Sequence, residues 1–140
     1  MVTTPRELDL QVIERLRQVR VDGIALLVLF GSRASGCARP SSDLDVAVRV
    51  RNATSERKRR IEIELLRATG DRTDVIFLDE APPQLRFEIA RSGIPVIESE
   101  EGGWARERAR AMIDWWDWAP IARRLHAAAV ARLRREAPKW

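Results

Sequence analysis

Three pieces of this 140-residue chain carry groups that could do chemistry together: Gly31-Ser32, the pair Asp43 and Asp45, and Asp74. Gly31-Ser32 directly follows an unbroken apolar run, Ile24 to Phe30. A glycine there lets an anion approach the backbone, and Ser32 offers both an N–H and a hydroxyl. A helix opening at that point would favour a phosphate further through its N-terminal N–H groups. Asp43 and Asp45 flank Leu44 at the start of an alternating stretch. Side chains two apart on a strand point the same way, so two carboxylates face one spot. They repel, and each raises the other's pKa, unless a cation sits between them. Oxygen ligands of this kind suit Mg²⁺, which also holds substrate phosphates. Asp74 opens a third strand-like run and could reach the same spot from the side.

Each piece has a plainer use. Gly-Ser after a strand serves as a turn, and an Asp at a strand boundary commonly bonds nearby backbone N–H groups. The combination is rarer, since Gly-Ser, ten residues and Asp-x-Asp should coincide by chance in roughly one such chain in several hundred.

Composition excludes other chemistries. Cys37 and His126 are alone of their kinds, so neither a Cys/His metal site nor an internal disulfide can form. No apolar run approaches a membrane span, and residues 1–9 lack the apolar core of a signal peptide. With a single cysteine, that predicts a cytoplasmic protein. The net charge of +4 invites a nucleic-acid reading. Most arginines, however, alternate with acids, as in Arg106-Glu107-Arg108 and Arg134-Arg135-Glu136, and read as solvated faces. The dense cluster Arg57-Lys58-Arg59-Arg60 is bracketed by Glu56, Glu62 and Glu64. Nucleic acid is therefore disfavoured as a partner.

The elements that must position the candidate groups follow from periodicity and punctuation. Pro5 and Glu7 open a helix with Leu8, Val12, Leu16 and Val19 at helical spacing, ended by Asp22-Gly23. The run 24–30 predicts a strand buried on both faces. Residues 44–50 predict a strand with Leu44, Val46, Val48 and Val50 on one face, and Asp45, Ala47 and Arg49 on the other. Thr54 or Ser55 caps a helix to about Ala68, with Ile61, Leu65 and Leu66 inward and Gly70 as the stop. A strand over 74–78, a helix over 84–91 closed by Gly93, and a short edge strand over 95–98 follow. Two helices end the chain, 104–118 and 120 to about 136, broken at Pro120. Met112, Ile113 and Trp116 are expected against the sheet, with Trp115 and Trp118 on another side. The last helix, with Ile121, Leu125 and Leu133, could fold back over them; otherwise Trp115 and Trp118 are anchors for another chain. The whole is one domain of 140 residues, a core of about 22–98 with two C-terminal helices at about 104–136. Its class is α/β (α+β), a small mixed sheet of three to four strands packed by helices.

The segment Leu27 to Gly36 through Ser42-Asp43-Leu44-Asp45-Val46-Ala47-Val48 resembles the nucleotidyltransferase family related to DNA polymerase beta. Its ten-residue spacing is the form seen in the minimal nucleotidyltransferase (MNT) branch. The likeness runs on through Thr73-Asp74-Val75-Ile76 to Pro82–Ala90, covering most of 24–98. It implies the polymerase beta-like fold and a metal-dependent nucleotidyltransferase. By that resemblance Gly31, Ser32 and Arg33 bind the nucleotide, Asp43, Asp45 and Asp74 are catalytic and hold two Mg²⁺ ions, and ATP is the substrate. Asp74 would also orient or deprotonate the incoming hydroxyl. Ser35 departs from the pattern, since relatives often carry arginine there. Many MNT proteins are antitoxins encoded beside a HEPN-domain toxin, and some AMPylate a toxin tyrosine, so the implied activity is that of a protein adenylyltransferase in a hetero-oligomer. The alternatives are a binding-only antitoxin that masks its toxin, and a small-molecule nucleotidyltransferase. The second would need room for its acceptor, and only about forty residues follow the core.

Overall fold

A computed structural model of the chain describes residues 5–31, 43–70 and 72–137, the side chains of 5–9 excepted. Helix α1 spans Pro5–Arg17, strand β1 Ile24–Phe30 and β2 Leu44–Val50. Helix α2 spans Ser55–Thr69, β3 Thr73–Phe77, α3 Pro83–Ser92, β4 Ile94–Glu98 and α4 Gly103–Glu136. The strands form one mixed sheet in the order β3-β2-β1-β4. β1 pairs antiparallel with both β2 and β4, whereas β2 and β3 run parallel, joined by α2 as a crossover.

Two helical layers cover the sheet, and the alternation of β2 assigns each residue to one of them. Leu44, Val46, Val48 and Val50 join Leu27 and Leu29 of β1 beneath α1 and α2, against Leu16, Ile61 and Leu65. Ala47 faces the other way with Leu26 and Val28, beneath Ile89 of α3 and Trp104 of α4. This is why β1 reads as unbroken apolar sequence: Leu26, Leu27, Val28 and Leu29 are all buried, two on each side. Thr54 Oγ1 caps α2 by accepting from the Arg57 N–H at 3.2 Å, and Gly70 closes it at φ +98°. The predicted third strand is displaced by one residue, to Thr73–Phe77, and Leu78 beyond it is buried.

The break expected at Pro120 is absent, and α4 is one helix of 34 residues. Proline removes one N–H, the partner of the Trp116 carbonyl, but both residues are exposed. Water can take the place of the missing donor, so the helix continues. The last helix consequently does not fold back: Ile121, Leu125 and Leu133 are 47%, 59% and 66% exposed. The inward face also differs from expectation. Trp115 stacks on Phe87 with ring centroids 5.0 Å apart, while Ile113 and Trp116 face solvent. The small residues Ala111 and Ala119, both buried, mark the inward stripe. Hydrophobicity alone could not, because this helix is apolar on both sides.

Candidate active site

The site forms where β1 ends and β2 and β3 begin. Phe30 lies opposite Asp45 in the β1–β2 ladder, so Gly31 emerges beside that carboxylate. Gly31 has φ +78°, and a Cβ on it would collide with Asp45 Oδ2. Glycine is thus required twice, for its left-handed backbone and for the space the carboxylate occupies. Asp45 pairs in parallel register with Asp74 on β3, which aims both side chains to the face that also carries Ala47 and Arg49. Asp43 is exposed just before β2.

The electrostatics agree with this placement. The Asp45 carboxyl is held above its ordinary value, first by burial and then by the negative charges of Asp74 and Asp43. The three acids therefore share one electrostatic neighbourhood. Among the described residues no three His, Cys, Asp or Glu side chains are gathered tightly enough to form a ready-made metal cage. The donor set still fits a divalent cation: carboxylate oxygens whose mutual repulsion a cation would relieve. Gly31, Asp43, Asp45 and Asp74 are brought to one end of the sheet, whereas Ser32 and Arg33 lie outside the described residues, as does Ser35.

Arg49, at the opposite end of β2, is committed elsewhere. Its Nε and Nη2 donate to the Glu107 carboxylate of α4 at distances of 2.7–3.1 Å. Glu107, 5% exposed, is the one buried charged residue among those described, which corrects its reading as part of a solvated face. Arg86 of α3 joins the same group, donating to Asp114 at 2.6 Å with its Nε 3.9 Å from Glu107. Sequence reading missed this network. Its signal was Arg49 itself, an inward-facing cation on β2 that must find an acid. The Arg57–Arg60 cluster is largely paired: Arg57 with the Arg51 carbonyl and Asp22, Lys58 with Asp79 and Glu80, Arg60 with Glu56. That leaves it poorly disposed to meet phosphates.

A glycine turn set against acids on adjacent strands, held by a mixed sheet with helices on both faces, is the arrangement of a nucleotidyltransferase. Residues 11–102 match the family model "Polymerase beta, Nucleotidyltransferase", and the chain belongs to that family. No curated protein matches it. Among solved structures it is similar to a chain of a toxin–antitoxin complex with AMP-PNP, at 19% identity and a TM-score of 0.66, over 88% of this chain and 98% of that one. It is also similar to a chain of the tri-AMPylated Shewanella oneidensis HEPN toxin in complex with MNT antitoxin, at 17% identity and a TM-score of 0.61, over 91% and 99%. A chain of the toxin–antitoxin MntA-HepT shares 18% identity with a TM-score of 0.60, over 88% and 96%. At these identities the likeness is one of fold, and it is the polymerase beta-like fold expected from the sequence. Among the described residues no helix is long and apolar enough to cross a membrane.

Proposed function

We propose that this protein is the MNT antitoxin of a HEPN/MNT pair, a metal-dependent enzyme that transfers AMP from ATP to a tyrosine hydroxyl of its toxin. The observation that carries the reading is the register of Asp45 against Asp74 with Gly31 pressed on Asp45. Asp43, Asp45 and Asp74 would hold the divalent cations, and Gly31, Ser32 and Arg33 the triphosphate. Bound there, Mg²⁺ would neutralise phosphate charge and lower the pKa of the attacking oxygen. The tyrosine oxygen forms a bond to the α-phosphorus, pyrophosphate leaves, and Asp74 accepts the hydroxyl proton. The partner, the nucleotide and the AMPylated product are supported by what the structurally similar complexes contain.

The test uses the toxin encoded beside this protein and labelled ATP. Asp74→Asn should cut labelling about a hundredfold or more with ATP affinity little changed, because a general base acts mostly in the transition state. Asp43→Asn with Asp45→Asn should abolish Mg-ATP binding in calorimetry. Wild-type affinity in that double variant would show the site to be misplaced. Neutralisation of the toxin without any label would make the protein a masking antitoxin instead.

A further inference from the structure

After Phe77 the edge strand β3 gives way to a turn, in which the Glu80 N–H donates to the Phe77 carbonyl at 3.0 Å. Pro82, extended at φ −67° and ψ 158°, then starts α3 across the face that carries Asp45 and Asp74. Leu85 packs on the core there with Ile89, but Ile76 of β3 stays half-buried. Between strand, turn and helix lies a notch of about 210 Å³, whose walls include Ile76, Phe77, Ala81, Pro82 and Leu85. Ile76 follows Asp74 by two residues, so both stand on one face of the strand, about 6.7 Å apart along it.

The chemistry of the notch and the order of the strands narrow what it can take. No cation lines it. Its one charged residue is Glu80, and that acid already meets Lys58 Nζ at 3.3 Å. A phosphate is unsuited to such walls, whereas an uncharged, flat group suits them. In the order β3-β2-β1, Gly31 stands at the end of β1 and the notch beside the outermost strand, with Asp45 between Gly31 and Asp74. In phosphoryl transfer the attacking and leaving oxygens lie roughly in line through phosphorus. With the triphosphate at Gly31, the attacking oxygen arrives from the side of β3, where the notch is.

We propose that the notch holds the aromatic ring of the acceptor tyrosine, with Ile76, Ala81 and Leu85 as positioning residues that set its hydroxyl at Asp74. The inference rests on the proposed transfer of AMP to a tyrosine and deepens it. A group that fills the notch and still puts an oxygen at Asp74 has to be rigid and about one ring long. A serine or threonine hydroxyl at Asp74 would leave the notch empty. From this seat the phenol oxygen gives its proton to Asp74 and bonds to the α-phosphorus as the bond to pyrophosphate breaks. Burial of one ring is worth less than the freedom lost on association, so the notch orients a tyrosine and does not capture a free one.

Transfer from labelled ATP to the purified toxin encoded beside this protein tests the seat, with full-chain variants. Ala81→Phe fills the notch from the turn, and Ile76→Ser removes an apolar wall. Each should lower kcat about tenfold or more, since a small misplacement of the reacting oxygen suffices. Mg-ATP affinity in calorimetry should stay at the wild-type value in both, and Ile76→Val should recover most of the turnover that Ile76→Ser loses. Should Ile76→Ser melt far below the wild type, Ala81→Phe, which lies outside the sheet, decides alone. Wild-type kcat in either folded variant would overturn the proposal and leave the proposed function standing. Weakened Mg-ATP binding in a folded variant would give the notch to the adenine and overturn the proposal too. A wild type that labels no toxin at all would defeat the proposed function, and the seat with it.

Discussion

Asp45 is held above the ordinary carboxyl range by burial and by Asp74 and Asp43, and this fixes how the fold responds to pH. An unfolded chain releases that proton near the usual value, whereas the native state keeps it to a higher pH. Across the interval the native state binds more protons, so stability falls as pH rises and stays lower above it. At neutral pH without divalent cations, Asp45→Asn should therefore raise the melting temperature. The gain should be modest, roughly a degree or two, because the group is partly solvated. Mg²⁺ should stabilise the wild type and not the variant, and thermal melts with EDTA and with Mg²⁺ would show both effects. A variant that melts lower in EDTA would mean that Asp45 makes a net favourable contact instead. Much of this was legible beforehand: the i, i+2 spacing of Asp43 and Asp45 forecast mutual repulsion. The collision of a Gly31 Cβ with Asp45 was not, because it depends on the Phe30–Asp45 register.

Among the elements, α3 and α4 are fastened to β2 by charge. Glu107 accepts from Nε and Nη2 of Arg49, and Arg86 approaches it from α3 while bonding Asp114. Two nitrogens of Arg86, Nε and Nη2, are buried without a hydrogen bond among the described residues, so its guanidinium is held more by charge than by bonding geometry. Glu107→Gln would leave two cations facing a neutral amide, at a cost on the order of 3 kcal/mol. Chemical denaturation would measure it, and a change under 1 kcal/mol, the range of an exposed pair, would show the network to be dispensable. The strands were readable from apolar runs and alternation, and α2 from Thr54 and Gly70. Glu107 was not, since between Arg106 and Arg108 it has the sequence of a solvent face. Only the inward aim of Arg49 distinguishes it.

For the whole molecule, the sheet and its two helical layers form a unit that ends at about residue 119, and the rest of α4 adds no core. A chain ending at Ala122 should melt within about 3 °C of the full protein and bind Mg-ATP equally, since only exposed surface is lost. A large drop in melting temperature would mean that the overhang braces the fold. Pro120 misled the sequence reading because the carbonyl a proline frees can turn out to water where the helix face is exposed, as it is here. The topology has one more consequence. Asp74 lies on β3, the outermost strand on its side, with its carboxylate open to solvent. An enzyme with its base at the bottom of a cleft chooses substrates by size, admitting whatever fits. One with its base on a rim chooses by what can be pressed against it, so on the proposed reading selectivity belongs to the fit between two protein surfaces and not to a pocket. A free tyrosine or a short peptide should then be a poor acceptor at any concentration.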